Sequence, residues 1–167
     1  MLDDLLEANL RYASGFALQG IPASAAKQFA LVTCMDSRIE PLAMLGLRAG
    51  DAKILRNAGG RVTDDVLRSL LLATSLLGVK YIAVMQHTHC ALAYRTDDDL
   101  RSDMLADRAV DLEGWEFHTM PDPDRALYHD VQTIRTCDAL PPGIQVEGWR
   151  YDVKTGAITR VVPAGGG

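Results

Sequence analysis

Phe29-Ala30-Leu31-Val32-Thr33-Cys34-Met35-Asp36-Ser37-Arg38 passes directly from an apolar run into a cluster of reactive side chains. A second stretch does the same: Tyr81-Ile82-Ala83-Val84-Met85-Gln86 runs into His87-Thr88-His89-Cys90. Short apolar runs of this kind read as buried strands. Both polar clusters therefore stand where a strand ends. In an open parallel sheet, ligand sites assemble outside the carboxyl ends of the strands. Two thiols and an imidazole brought to one such edge suit zinc, which takes sulfur and nitrogen ligands tetrahedrally. Three protein ligands leave a fourth position for water or substrate, as in catalytic zinc sites.

Outward from these two stretches, strands and helices alternate. Asp51 to Arg56 reads as a strand, followed by the loop Asn57-Ala58-Gly59-Gly60-Arg61. Paired glycines there allow positive φ and a close approach of backbone to a ligand. Thr63 is placed as an N-cap, with Asp64 and Asp65 at the positive end of a helix dipole. That helix, over 64–77, carries Val66, Leu67, Leu70, Leu71, Leu72 and Leu76, and is expected to be largely buried. A short helix is expected over 39–47, and further helices over 96–109 and within 121–140. Ile144 to Tyr151 and Ile158 to Val162 read as strands, joined through the turn Lys154-Thr155-Gly156. At the start of the chain, Leu2, Leu5, Leu6, Leu10 and Ala13 recur at helical spacing. This amphipathic helix has little chain ahead of it to pack on.

The pattern predicts an α/β fold: a mostly parallel central sheet of about four parallel strands with one antiparallel edge strand, flanked by helices. One domain is expected over 1–167, with 1–20 as an N-terminal helical arm and 163–167 as a flexible tail. A chain of 167 residues can bury a sizeable core. The net charge of −5 argues against nucleic acid as a partner. No apolar run is long enough to span a membrane. The acidic start Met1-Leu2-Asp3-Asp4 does not resemble a signal peptide. Three cysteines in such a chain fit a reducing cytoplasm, with thiols free or bound to metal.

Cys34-x-Asp36-x-Arg38, Arg56-Asn57-Ala58-Gly59-Gly60-Arg61 and His87-x-x-Cys90, in this order and spacing, together resemble a β-class carbonic anhydrase. The match extends through Val62-Thr63-Asp64-Asp65-Val66-Leu67-Arg68-Ser69-Leu70 and is clearest between residues 28 and 92. The resemblance implies zinc held by Cys34, His87 and Cys90, with an Asp36–Arg38 pair beside it. It implies reversible hydration of carbon dioxide to bicarbonate and a proton by a zinc-bound hydroxide. It also implies a homodimer or a dimer of dimers, with the N-terminal helix laid across the neighbouring subunit. In that chemistry Asp36 orients the hydroxide and Arg38 keeps Asp36 ionised. In part of the family the aspartate is instead a fourth zinc ligand, released to the arginine on activation. The sequence leaves both states open.

Several residues keep two readings. Gly59 and Gly60 are a plain turn or line the substrate pocket. Arg56 braces the glycine loop or faces bicarbonate. His89 is a loop histidine or a proton shuttle. Asp36–Arg38 is functional or an ordinary ion pair. Arg61 is expected in a salt bridge at a dimer interface, and Cys137 as a structural cysteine. Two departures from the family stand out: Ala91, where glycine is usual after the second cysteine ligand, and His89 before Cys90. The alternatives are a carbon disulfide or carbonyl sulfide hydrolase on the same zinc site, and a silent zinc- or bicarbonate-binding relative. A thiol redox protein is less supported, because no C-x-x-C is present.

Overall fold

Four of the apolar runs pair side by side in the same direction. The computed structural model describes residues 1–165. Its strands are β1 (Phe29–Cys34), β2 (Ala52–Asn57), β3 (Tyr81–His87), β4 (Gln145–Tyr151) and β5 (Ile158–Val162). They form one sheet in the order β2-β1-β3-β4-β5, with only the β4–β5 pair antiparallel. Helices α1 (Leu2–Ser14), α2 (Pro41–Met44), α3 (Asp64–Leu76), α4 (Asp97–Arg108) and α5 (Pro123–Arg135) lie between and around them.

The strand order positions the site. From β1 the chain moves outward to β2, then returns past β1 to lay down β3 on its other side. The connections diverge at the carboxyl ends of β1 and β3, and a crevice at such a switch point is where open α/β sheets bind ligands. Thr33 is level with Met85, so Cys34 and His87 finish their strands within about one residue of each other.

Each face of the sheet has its own core. On one, Val32, Val84 and Val146 pack with Leu70 of α3 and with Leu127, Val131 and Ile134 of α5. On the other, Leu31, Ala83 and Met85 pack with Ile39, Met120 and Tyr151, and this cluster includes Cys34 and Cys90. The thiols thus border apolar packing that limits their freedom to move.

Three expectations are corrected. Helix α3 is not largely buried: only Val66, Leu70 and Ala73 are buried, and Leu76 is 72% exposed. Its leucines occupy more of the helix circumference than one sheet can cover. Thr63 sits at the N-cap position with extended backbone, but its side chain makes no capping bond. Thr96 of α4 does make one, in a reciprocal capping box with Asp99. Arg61 makes its salt bridge within its own chain, with Asp130 of α5.

The N-terminal helix forms over Leu2–Ser14 and buries none of its residues. At the other end, Arg135 Nη2 donates to the carbonyl oxygen of Pro163 at 2.5 Å. Of the expected tail, Gly166 and Gly167 lie outside the described residues. Among the described residues no helix is long and apolar enough to cross a membrane.

Candidate metal centre

Cys34 is the last residue of β1, and the turn that follows it is fastened from β2. Arg56 donates through Nε to the Cys34 carbonyl at 3.0 Å and through Nη2 to the Asp36 carbonyl at 2.7 Å. The Met35 amide donates to the Asn57 carbonyl at 2.8 Å. Arg56 thus braces the Cys34 turn, where the sequence reading has it bracing the glycine loop or facing bicarbonate.

The glycine loop presses on the same place. Gly60 has φ +66, and a Cβ built there would stand 2.9 Å from both the Cys34 nitrogen and the Thr33 carbonyl carbon. Only glycine admits that approach without movement of backbone. Gly59, at φ +77, directs backbone hydrogen bonding to the Cys34 sulfur, as does Asp36. Both glycines are buried.

His87 closes β3. Its Nδ1 lies 2.9 Å from the Thr88 carbonyl oxygen, which can only accept. The ring proton therefore sits on Nδ1, and Nε2 is left as the bare nitrogen. That Nε2 is buried and has no hydrogen-bond partner. A buried polar atom without a partner costs free energy and calls for an explanation. Cys90 supplies part of one: the ligand atoms of Cys34, His87 and Cys90 all lie within 4.8 Å of one another. A tetrahedral zinc, with bonds of about 2.0 to 2.3 Å, asks for donors roughly 3.6 to 3.8 Å apart. Two sulfurs and a bare imidazole nitrogen in this arrangement fit that ion.

The two thiols differ in acidity. Hydrogen bonding from the Cys90 thiol pulls the Cys34 thiol down to about 4; burial opposes this, while His87 and the backbone at Asp36 and Gly59 assist it. The same shared proton, together with burial, pushes the Cys90 thiol up. The two sulfurs thus share one proton, which a dication would displace.

Beside this group stands the Asp36 carboxylate, held by three donors. Arg38 Nε and the Arg38 amide each reach Oδ1 at 2.9 Å, and Arg38 Nη2 reaches Oδ2 at 2.7 Å. The Arg38 guanidinium holds the carboxyl of Asp36 well below the usual carboxylate range. Arg38 Nη2 also donates to the His89 carbonyl at 3.1 Å, tying the dyad to the turn that carries Cys90. Asp36 Oδ2 lies 3.9 Å from His87 Nε2. The carboxylate is thus turned to the arginine while remaining next to the ligand group.

His89 has φ +55 and is exposed. Ala91 is exposed too, and its φ is not in the left-handed region. The left-handed position of this turn falls on His89, so Ala91 stands at a position whose backbone does not require glycine. A cleft of about 540 Å³, lined in part by His87, Thr88, His89, Cys90, Tyr94 and Arg150, opens beside the histidine–cysteine turn. Cys137 is half-buried beyond the end of α5 and takes no part in the cluster.

The structure brings Cys34, His87 and Cys90 together, sets Asp36 and Arg38 beside them, and packs Gly59 and Gly60 close to Cys34. What sequence reasoning missed are the Thr88 carbonyl at the His87 ring and Asp130 as the partner of Arg61. Arg56 and Arg61 stand in the quoted motif and carried a signal. Asp130 lies far along the chain in an ordinary amphipathic helix and carried none.

The profile of the family described as carbonic anhydrase matches residues 29–113. The chain is 35% identical to Beta-carbonic anhydrase 1 of Mycobacterium bovis, over 96% of this chain and 98% of that protein. It superposes on the crystal structure of carbonic anhydrase from Streptococcus mutans with a TM-score of 0.87 and 38% identity, covering 96% of each chain. It is also 31% identical to the carbon disulfide hydrolase of Saccharolobus solfataricus, over 83% of this chain and 78% of that protein.

Proposed function

This chain belongs to the β-carbonic anhydrase family, and from that premise we propose that it hydrates carbon dioxide reversibly to bicarbonate and a proton. Cys34, His87 and Cys90 are the zinc ligands in this reading. The observation that carries it is the bare, buried Nε2 of His87 between two thiols, with an ionised carboxylate 3.9 Å away. A zinc ion in that group supplies Lewis acidity, which brings the pKa of water towards about 7 and makes a nucleophile available at neutral pH.

The chain's own residues do the rest. The Thr88 carbonyl keeps the His87 proton on Nδ1 and so keeps Nε2 free to coordinate. Gly59 and the backbone at Asp36 stabilise negative charge on the Cys34 sulfur. We assign this task to Gly59, while Gly60 packs against the Cys34 backbone. Asp36 Oδ2 accepts a hydrogen bond from the attacking water and turns a lone pair towards carbon. Arg38 holds Asp36 at two points, which keeps it ionised and fixes its plane. The pairing favours the arrangement in which the aspartate is not a ligand. A homodimer or a dimer of dimers is part of the proposal, supported by the solvent-facing leucines of α1 and α3.

Hydrolysis of carbon disulfide or carbonyl sulfide is the second reading, favoured by the likeness to the Saccharolobus enzyme. Stopped-flow turnover of the three substrates on zinc-loaded protein separates them. Fast carbon dioxide hydration with slow sulfide release supports the proposal. The reverse ranking overturns it in favour of the hydrolase.

A further inference from the structure

The two thiols of the centre arrive on segments far apart in sequence, and one buried cation touches the supports of both. Arg61 leaves the glycine loop and passes into the protein. Asn57 pins its backbone, accepting from the Arg61 amide at 2.9 Å and donating to the Arg61 carbonyl at 2.8 Å. The preceding residues, Gly59 and Gly60, bear on the sulfur and backbone of Cys34. One end of Arg61 is thus fixed to the Cys34 side.

The guanidinium serves the other side. Its Nη1 donates to the carbonyl oxygens of His118 and Thr119, the latter at 3.1 Å. The next residue, Met120, is 1% exposed and pairs with the segment that follows Cys90. The Met120 amide donates to the Leu92 carbonyl at 2.8 Å, and the Tyr94 amide donates to the Met120 carbonyl at 2.7 Å. Ala93 in turn donates to the Cys90 carbonyl at 3.1 Å. Arg61 therefore reaches the Cys90 turn through one intervening strand-like segment.

Asp130 makes this possible. Its carboxylate accepts from Arg61 Nε at 2.7 Å and from Nη2 at 3.1 Å, with side-chain exposures of 11% for Arg61 and 2% for Asp130. A largely desolvated guanidinium needs such a partner, since an unpaired charge there is strongly unfavourable. Gln86 Nε2 also donates to Asp130 Oδ2 at 3.3 Å, one residue before His87. The pair thus abuts the supports of all three ligands.

We propose that Arg61 and Asp130 are positioning residues of the metal centre, a buried clamp that sets the separation of the Cys34 and Cys90 sulfurs. This rests on the zinc reading above. The stereochemistry is specific: a planar fork serves the carboxylate on one edge and two carbonyls on the other. A lysine keeps the charge but cannot span both.

The test uses the full chain loaded with zinc, and separately with cobalt, whose absorption reports ligand geometry. Arg61→Lys and Asp130→Asn are compared with wild type and with Arg68→Ala, which removes an exposed pair with Asp65. Metal release to excess chelator and the cobalt spectrum are read alongside circular dichroism. We expect folded Arg61→Lys to release metal about ten to one hundred times faster, with a shifted cobalt spectrum, the range seen when outer supports of a metal site are lost. Asp130→Asn should move both readouts the same way, and Arg68→Ala neither. A folded Arg61→Lys or Asp130→Asn with wild-type release and spectrum overturns the clamp. Failure of both variants to fold even with zinc present also overturns it, because the pair is then a pillar of the core. Wild-type protein that takes up neither metal instead overturns the zinc reading itself.

Discussion

Oδ2 of Asp36 stands 3.9 Å from Nε2 of His87, yet it accepts its hydrogen bond from Arg38 Nη2, at 2.7 Å. The carboxylate is close enough to serve the ligand group and is kept off it by the arginine. Asp36→Asn and Arg38→Ala should each lower carbon dioxide turnover by about a hundredfold with zinc content unchanged. Because the two act as one unit, the double variant should be little worse than the worse single. Stopped-flow rates on all three proteins check this; losses that multiply would show separate roles.

The ligand assignment separates the three cysteines. Cys90→Ser and His87→Ala should bring bound zinc well below one per chain and abolish turnover. Cys137→Ser should leave both unchanged, since it stands outside the cluster. Elemental analysis after dialysis against a weak chelator gives the answer.

Gly60 and Ala91 are predicted to behave in opposite ways. A Cβ at 60 collides with Cys34 and Thr33 backbone at 2.9 Å and must also adopt φ +66. Gly60→Ala should cost about 2–4 kcal/mol. Ala91→Gly, which restores the usual family residue, should leave turnover within about twofold, because Ala91 is exposed and has no left-handed backbone to relieve. Urea unfolding measures the first and steady-state rates the second.

Asp97 gives a pH signature apart from the centre. Burial would raise its carboxyl, but hydrogen bonds from the Thr119 hydroxyl and the amides of Thr119 and Phe117 bring it down to about 2, from 3.8. A carboxyl lowered on folding stabilises the protein above its unfolded value, and that contribution disappears as pH falls through the folded one. Asp97→Asn should therefore be less stable than wild type by about 1–2 kcal/mol at pH 6. The gap should close as pH drops from about 4 to about 2. Urea titrations of both proteins across that range read the difference directly.

The parts of the molecule legible in its sequence are those where chemistry and local pattern coincide. Phe29 to Cys34 and Tyr81 to His87 are apolar runs ending in members of the Cys34–His87–Cys90 cluster, and both form neighbouring strands. Capping at Thr96 was equally local. Thr63 shows the limit: the right residue at the right position makes no bond, because side-chain rotamers answer to packing. Leu72 and Leu76 show another, since hydrophobicity predicts burial without saying in which molecule. Arg61 was visible, but its partner was not. Only the fold brings Asp130 across from α5.

Helix α1 has 13 residues and buries none of them. A free helix of about 12–15 residues is marginal in water, and exposed pairs such as Glu7–Arg11 add little to it. In the proposed oligomer its order becomes a matter of mass action. Dilution should melt α1 while the sheet persists, and midpoints of thermal unfolding should climb with protein concentration. For this chain, concentration belongs among the variables that define the native state.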